Sequence, residues 1–178
     1  MTEWLTQPGH DVFFFDEGRF GLKPVVGRRW AKRGVRPTVT VHPRYHNFYA
    51  YAAVSPLTGD SFMLLLPWVN TEVMSLYLAK MSEALGSRQA LVVLDRAGWH
   101  RSKDLLIPPN IHLEFLPPYS PELNPTERLW LVTKADVCRN QMPDSEDQLC
   151  QRLTDRLAEF TNHDIRQLCR CSYLPSTN

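Results

Sequence analysis

Cysteine is scarce in this chain, and the four that occur, Cys138, Cys150, Cys169 and Cys171, form no Cys-x-x-Cys pair. Structural zinc finds no support, and free thiols in a reducing compartment are expected. Long apolar runs are missing as well. None approaches the ~20 residues of a membrane-spanning helix. The start Met1-Thr2-Glu3-Trp4-Leu5 has neither the basic residues nor the apolar core of a secretory signal. A cytoplasmic protein is expected. No Gly-x-Ser-x-Gly occurs and no cysteine sits in a catalytic motif, so Ser or Cys nucleophilic chemistry is not indicated. Internal repeats and low-complexity tracts are absent. Acidic residues are absent from one long stretch, Gly18 to Gly59, which carries 8 of the 20 Lys and Arg: Arg19, Lys23, Arg28, Arg29, Lys32, Arg33, Arg36 and Arg44. Net charge is only +1. A local basic block in a nearly neutral chain is the footprint of a phosphate-facing surface, against the plainer reading of a solvated face. Trp30 lies in the block, where packing under the loop is the commoner fate and stacking on a base the sharper one.

What is present suits one globular domain. The chain has 178 residues, 43% hydrophobic and 22% charged, enough to bury a substantial core. Val12-Phe13-Phe14-Phe15 is a short apolar strand. Residues 18–37, rich in Gly, Arg and aromatics, read as a long loop or hairpin. Val39-Thr40-Val41 and residues 48–54 read as two strands of an antiparallel pair, and Ser61 to Leu65 as another strand. Residues 70–85 predict a helix, with Val73, Tyr77, Met81 and Leu85 at i, i+4 spacing, Asn70 or Thr71 as cap and Gly86 as stop. The buried strand Leu91-Val92-Val93-Leu94 follows. A helix leading into a buried strand is half of a βαβ crossover and favours a sheet with parallel members. Beyond it a short helix at Lys103–Leu106, a strand at 111–116 and a helix over 126–139 are expected. A further helix starts at Ser145, with Leu149, Leu153, Leu157 and Phe160 on one face, and a last short one lies within 162–171.

Three acids stand at the ends of these elements. Asp16 and Asp95 each close an apolar run. Glu127 falls three residues after Asn124, a good helix cap, with Pro125 suited to the first helical position. Each has an innocent reading: Glu127 as the return partner of a capping box, the aspartates as strand-end caps. Taken together they form an acidic site suited to hard cations such as Mg²⁺, which take oxygen ligands and one or two carboxylates per ion. A pair of such ions serves both the attacking and the leaving oxygen of a phosphodiester displacement. Glu17 should point to the opposite face of the strand from Asp16. Glu122 reads as a solvated residue of the proline-rich loop. His100 reads as a loop histidine, structural or auxiliary to the site.

Asp16-Glu17-Gly18-Arg19-Phe20, the segment Gly27 to Pro37, Leu94-Asp95-Arg96-Ala97-Gly98-Trp99-His100 and the segment Leu116 to Glu127 resemble the catalytic domain of DDE-type transposases, in the bacterial insertion-sequence branch related to mariner. The resemblance covers roughly residues 8–160. It implies an α/β, ribonuclease H-like mixed five-stranded sheet flanked by helices, spanning residues 12–171 between tails at 1–11 and 172–178. It implies Asp16, Asp95 and Glu127 as catalytic, metal-binding residues holding Mg²⁺ or Mn²⁺, with two ions. The function implied is cleavage at transposon ends and strand transfer into target DNA. Arg28, Arg29, Lys32, Arg33 and Arg36 are expected along the DNA path. Two departures accompany the resemblance: Arg96 stands where many relatives carry a small or amide residue, and the gap from Asp95 to Glu127 is a few residues short. A structure-selective nuclease of the same fold and a catalytically inactive DNA-binding relic are the alternatives. The family generally carries N-terminal helix-turn-helix readers, yet Asp16 comes too early to leave room for one. A separate chain, an upstream frame or a longer parent is expected to supply the reader, and two catalytic chains to pair two ends. This chain alone is expected to bind DNA weakly and without sequence preference.

Overall fold

The first strand, β1 (His10–Gly21), is the centre of the architecture. The computed structural model describes Trp4 and residues 7–22, 47–138 and 143–174. The basic block from Lys23 to Arg44, with Arg28, Arg29, Lys32, Arg33 and Arg36, and the strand expected at Val39–Val41 lie outside the described residues. β1 pairs antiparallel with β2 (Asn47–Val54), which pairs antiparallel with β3 (Ser61–Leu66). On its other side β1 runs parallel to β4 (Gln89–Leu94), and β4 parallel to β5 (Ile111–Phe115). The result is a mixed five-stranded sheet in the order β3-β2-β1-β4-β5.

Among the described residues four helices cover it: α1 (Thr71–Leu85), α2 (Thr126–Cys138), α3 (Glu146–Ala158) and α4 (Asn162–Leu168). α1 is the crossover between β3 and β4. Asn70 caps it by accepting from the Val73 N–H at 2.8 Å, and Gly86, at φ 62°, ends it. Its Met74, Tyr77, Leu78, Met81 and Leu85 pack on Phe13, Phe15, Tyr51, Val92 and Leu94, so one sheet face is closed by the expected stripe. Burying such side chains is worth on the order of 2 kcal/mol each. The Tyr77 and Tyr51 hydroxyls are satisfied by the carbonyl oxygens of Phe62 and Trp68, both at 2.9 Å. α2, α3 and α4 close the opposite face over Phe20, Ala50, Ala52 and Val54. Among the described residues, no helix is long and apolar enough to cross a membrane.

Two local expectations change. β1 does not stop at Phe15. Pairing with β2 continues from Asp16↔Ala52 to Gly21↔Asn47, because the pleat keeps Gly18 and Phe20 buried on the face of Asp16. Lys103–Leu106 is not helical. A 3₁₀ turn forms earlier, at Gly98–His100, and Ser102 Oγ accepts from the Asp104 N–H at 3.2 Å, a local bond that competes with helix.

Candidate active site

Register brings the two aspartates together. Val12, Phe13 and Phe14 pair in step with Leu91, Val92 and Val93, and the same offset carried two residues further sets Asp16 opposite Asp95. The strands stop pairing there, which opens a cleft where ladder bonds would otherwise run. The third acid arrives on α2, whose start is fastened to β1 beside Asp16. Asn124 Nδ2 donates to the Phe15 carbonyl oxygen and Thr126 Oγ1 to that of Phe14, both at 2.8 Å and both buried. Asn124 Oδ1 also accepts from the Thr126 N–H at 3.2 Å. Glu127 follows directly.

Asp16, Asp95 and Glu127 line one cleft of about 530 Å³, together with Arg96, Arg101, Tyr119 and Asn124. A larger groove of about 690 Å³ between α1 and residues 104–108 is mostly apolar, with Glu72 and Asp104 as its charged groups. No set of reactive groups converges there among its lining residues. Arg96 is committed to structure: its Nε donates to the Leu116 carbonyl oxygen at 3.0 Å, clamping the end of β4 to the start of the proline-rich loop.

The two aspartates have opposite electrostatics. Burial, then the charges of Glu127 and Glu17, raise the Asp16 pKa from 3.8 to about 7, against the Glu17 N–H and Trp130. Trp130 Nε1 donates to Asp16 Oδ2 at 2.9 Å. The indole lies against Gly18, where a Cβ would come within 2.7 Å of its Cδ2. Asp95, with its side chain 60% exposed, is held the other way. Its Oδ1 accepts from the Ala97 N–H at 3.0 Å and meets His100 Nδ1 at 2.8 Å. The His100 bond, with the Ala97 N–H, lowers its pKa.

His100 is buried and bridges two carboxylates. Its Nε2 meets Glu17 Oε1 at 2.9 Å, and Trp99 Nε1 donates to the same oxygen at 3.0 Å. Burial would lower the histidine pKa, but the bonds to Asp95 and Glu17 and their charges raise it to about 9. Glu17 does lie on the face opposite Asp16, as the strand period requires, yet it is not idle. Trp130, Glu17 and Trp99 acquire roles that no sequence pattern announced; the one usable signal was the parity of Glu17 along β1. Glu122 is exposed.

An acidic site of this kind calls for a divalent cation. Among the described residues no group of three or more His, Cys, Asp or Glu is arranged so that it could hold a metal ion. The donor set nevertheless suits a hard cation in an open site. All three acids offer oxygen, one or two carboxylates per ion suffice when water and phosphate complete the shell, and burial, then the charges of Glu127 and Glu17, push Asp16 towards its protonated form.

Residues 11–150 match the family described as DDE superfamily endonuclease, and the chain belongs to that family. It is 40% identical over 95 residues to the uncharacterized protein y4pE/y4sA of Sinorhizobium fredii (strain NBRC 101917 / NGR234), covering 53% of this chain and 70% of that protein. It is 24% identical over 152 residues to the insertion element IS630 uncharacterized 39 kDa protein of Shigella sonnei, covering 81% of this chain and 43% of that one. In fold it resembles the Mos1 transposase paired-end complex with left transposon end: TM-score 0.70, 18% identity, 93% of this chain and 53% of that one. The catalytic domain of Mos1 mariner transposase aligns at TM-score 0.65 and 15% identity, over 93% of this chain and 78% of that one. The fold is thus ribonuclease H-like, and the chain spans about half the length of the full Mos1 transposase chain.

Proposed function

We propose that this chain is the catalytic domain of an insertion-sequence transposase that cuts DNA at transposon ends and joins the freed end to target DNA. The observation that supports this most is the meeting of Asp16, Asp95 and Glu127 in one cleft. Asp16, Asp95 and Glu127 would hold Mg²⁺ or Mn²⁺, the metals named in solved Mos1 paired-end complexes, and two ions would serve the attacking and the leaving oxygen. Such ions supply activation of the attacking oxygen and neutralisation of the leaving one. The protein supplies the rest. Trp130 orients Asp16, His100 and Ala97 orient Asp95, and the Asn124 and Thr126 bonds fix the helix start that carries Glu127. Arg101, exposed in the cleft, offers a cation to a backbone phosphate. The basic residues Arg28, Arg29, Lys32, Arg33 and Arg36 extend the DNA path. No covalent enzyme intermediate is needed: water cuts the strand, and the resulting 3′-hydroxyl attacks the target.

End recognition and pairing are assigned to further components: a helix-turn-helix segment and a second catalytic chain, acting in the bacterial cytoplasm at the nucleoid. The deciding experiment is Mg²⁺-dependent nicking of end-containing DNA by the wild type and by Asp16→Asn, Asp95→Asn and Glu127→Gln. Each substitution should abolish cleavage with the fold intact, and retained cleavage in Asp95→Asn refutes the assignment. Strand transfer on paired ends separates a transposase from a structure-selective nuclease.

A further inference from the structure

We infer that His100 is a positioning residue: anchored by Glu17, it fixes Asp95 Oδ1 and leaves Asp95 Oδ2 for the cleft. The inference rests on the metal-dependent reading above. Asp95 stands at a strand end with a largely exposed side chain, a setting in which a carboxylate samples several rotamers. Both of its restraints fall on one oxygen. The Ala97 N–H is a local turn bond at 3.0 Å, and His100 Nδ1 reaches the same Oδ1 at 2.8 Å. Oδ2 has no protein partner among the described residues.

The strength of the second restraint depends on how firmly the imidazole is held. The ring is 2% exposed and packs edge-on against Phe15 and Trp99, with centroids 5.6 Å away in both cases. Its far nitrogen meets Glu17 Oε1 at 2.9 Å, and the Glu17 side chain is only 8% exposed. Trp99 holds that same oxygen. The ring is therefore pinned at both nitrogens and cannot turn without breaking a buried bond. Glu17 neighbours Asp16 but faces the other side of the sheet. One strand thus delivers Asp16 to the cleft directly and, through Glu17 and His100, sets the orientation of Asp95. Partners that orient a ligand in this indirect way commonly change metal affinity 10- to 100-fold when removed.

The test uses the asymmetry of the ring. In His100→Asn the amide nitrogen replaces Nδ1 and keeps the Asp95 bond. In His100→Gln the amide reaches the Nε2 position and keeps only the Glu17 bond. Mn²⁺ affinity of the protein without DNA is read by electron paramagnetic resonance, with thermal unfolding alongside. His100→Gln should weaken Mn²⁺ binding roughly 10- to 100-fold, whereas His100→Asn should stay close to wild type, even if both lose similar stability. Glu17→Gln, which keeps the size but weakens the anchor, should show a smaller loss, and it carries the test if His100→Gln does not fold. Equal affinities for Gln and Asn variants, or a Glu17→Gln affinity equal to wild type when that variant decides, overturn the inference. A wild type with no Mn²⁺ site that Asp95→Asn removes overturns the metal-dependent reading itself, and this inference with it.

Discussion

Replacing Asp16 with Asn should stabilise the metal-free protein, and the gain should grow with pH. The carboxyl group is raised from 3.8 to about 7 by burial and by Glu127 and Glu17. The folded state therefore binds this proton more tightly than the unfolded chain does. The proton's contribution to stability is fully present below about pH 4 and is lost as pH rises through about 7. Above that, the folded protein carries a crowded carboxylate. About three pKa units at about 1.4 kcal/mol each give ~4 kcal/mol as the ceiling. An amide in the same place keeps an acceptor for Trp130 Nε1, yet it has its own desolvation cost, so ~2–4 kcal/mol is the expected gain at pH 8. For a domain of this size that corresponds to roughly 5–15 °C in Tm.

The assay is urea unfolding of wild type and Asp16→Asn in a chelator, from pH 4 to pH 8.5. The difference between the two proteins is the informative quantity, because the titration of His100 and other groups largely cancels in it. That difference should be near zero at pH 4, rise to about pH 7 and then flatten. Asp95→Asn is the internal contrast. His100 lowers the Asp95 pKa, so that carboxylate contributes stability above the usual range, and its removal should destabilise at neutral pH. A flat difference for Asp16→Asn, or destabilisation that deepens with pH, would refute the reasoning. Added Mg²⁺ should stabilise the wild type and leave Asp16→Asn unmoved.

Other expectations are more local. Gly18→Ala should destabilise by about 1–3 kcal/mol, because the new methyl meets the Trp130 ring at 2.7 Å; urea unfolding measures it, and a neutral result would mean that the indole can shift. Thr126→Val should cost about 1–3 kcal/mol, since the buried Phe14 carbonyl loses its 2.8 Å partner; an unchanged midpoint would show that water replaces it. Arg28→Ala with Arg33→Ala should flatten the salt dependence of duplex binding by about 0.9 in log–log slope per lost contact. An unchanged slope removes those two residues from the DNA path.

The fold was legible where local signals and burial agreed. Asn70, the Tyr77–Met81–Leu85 stripe and Gly86 bound α1 almost to the residue, and the apolar run at Leu91–Leu94 is β4 within two residues. The run through β1 was read too short because polar residues interrupt it. Asp16, Glu17 and Arg19 resemble the end of a strand, yet the alternate residues Gly18 and Phe20 are buried and the ladder with β2 continues. Strand pairing is a non-local property, and a central strand that carries a site breaks its own hydrophobic pattern there. The three candidate acids were visible because Asp16 and Asp95 each close an apolar run and Glu127 follows a helix-start signal, although Asp16 lies within β1 and not at its end. The bridge from Glu17 through His100 to Asp95 was not, because its partners are 83 and 5 residues apart and meet only once the sheet is built.

In the segment Asn124-Pro125-Thr126-Glu127 a single motif serves the fold and, in the function proposed above, the chemistry as well. A parallel pair that separates to make a cleft leaves strand carbonyl oxygens near the opening, and buried carbonyls without partners are costly. Asn124 and Thr126 supply those partners at Phe15 and Phe14. The same two bonds fix the first turn of α2 relative to Asp16, so Glu127, one residue on, is carried to the cleft by a rigid element. Separating the two roles is possible by mutation. Thr126→Val should disturb both stability and cleavage, because the helix start loses its hold on β1. Glu127→Gln should abolish cleavage without lowering stability, because the Glu127 side chain is exposed and its charge only adds to the burden on Asp16. If Glu127→Gln instead lowered stability as much as Thr126→Val, the carboxylate would be part of the docking and not of the chemistry, and the division of labour argued for this segment would be wrong.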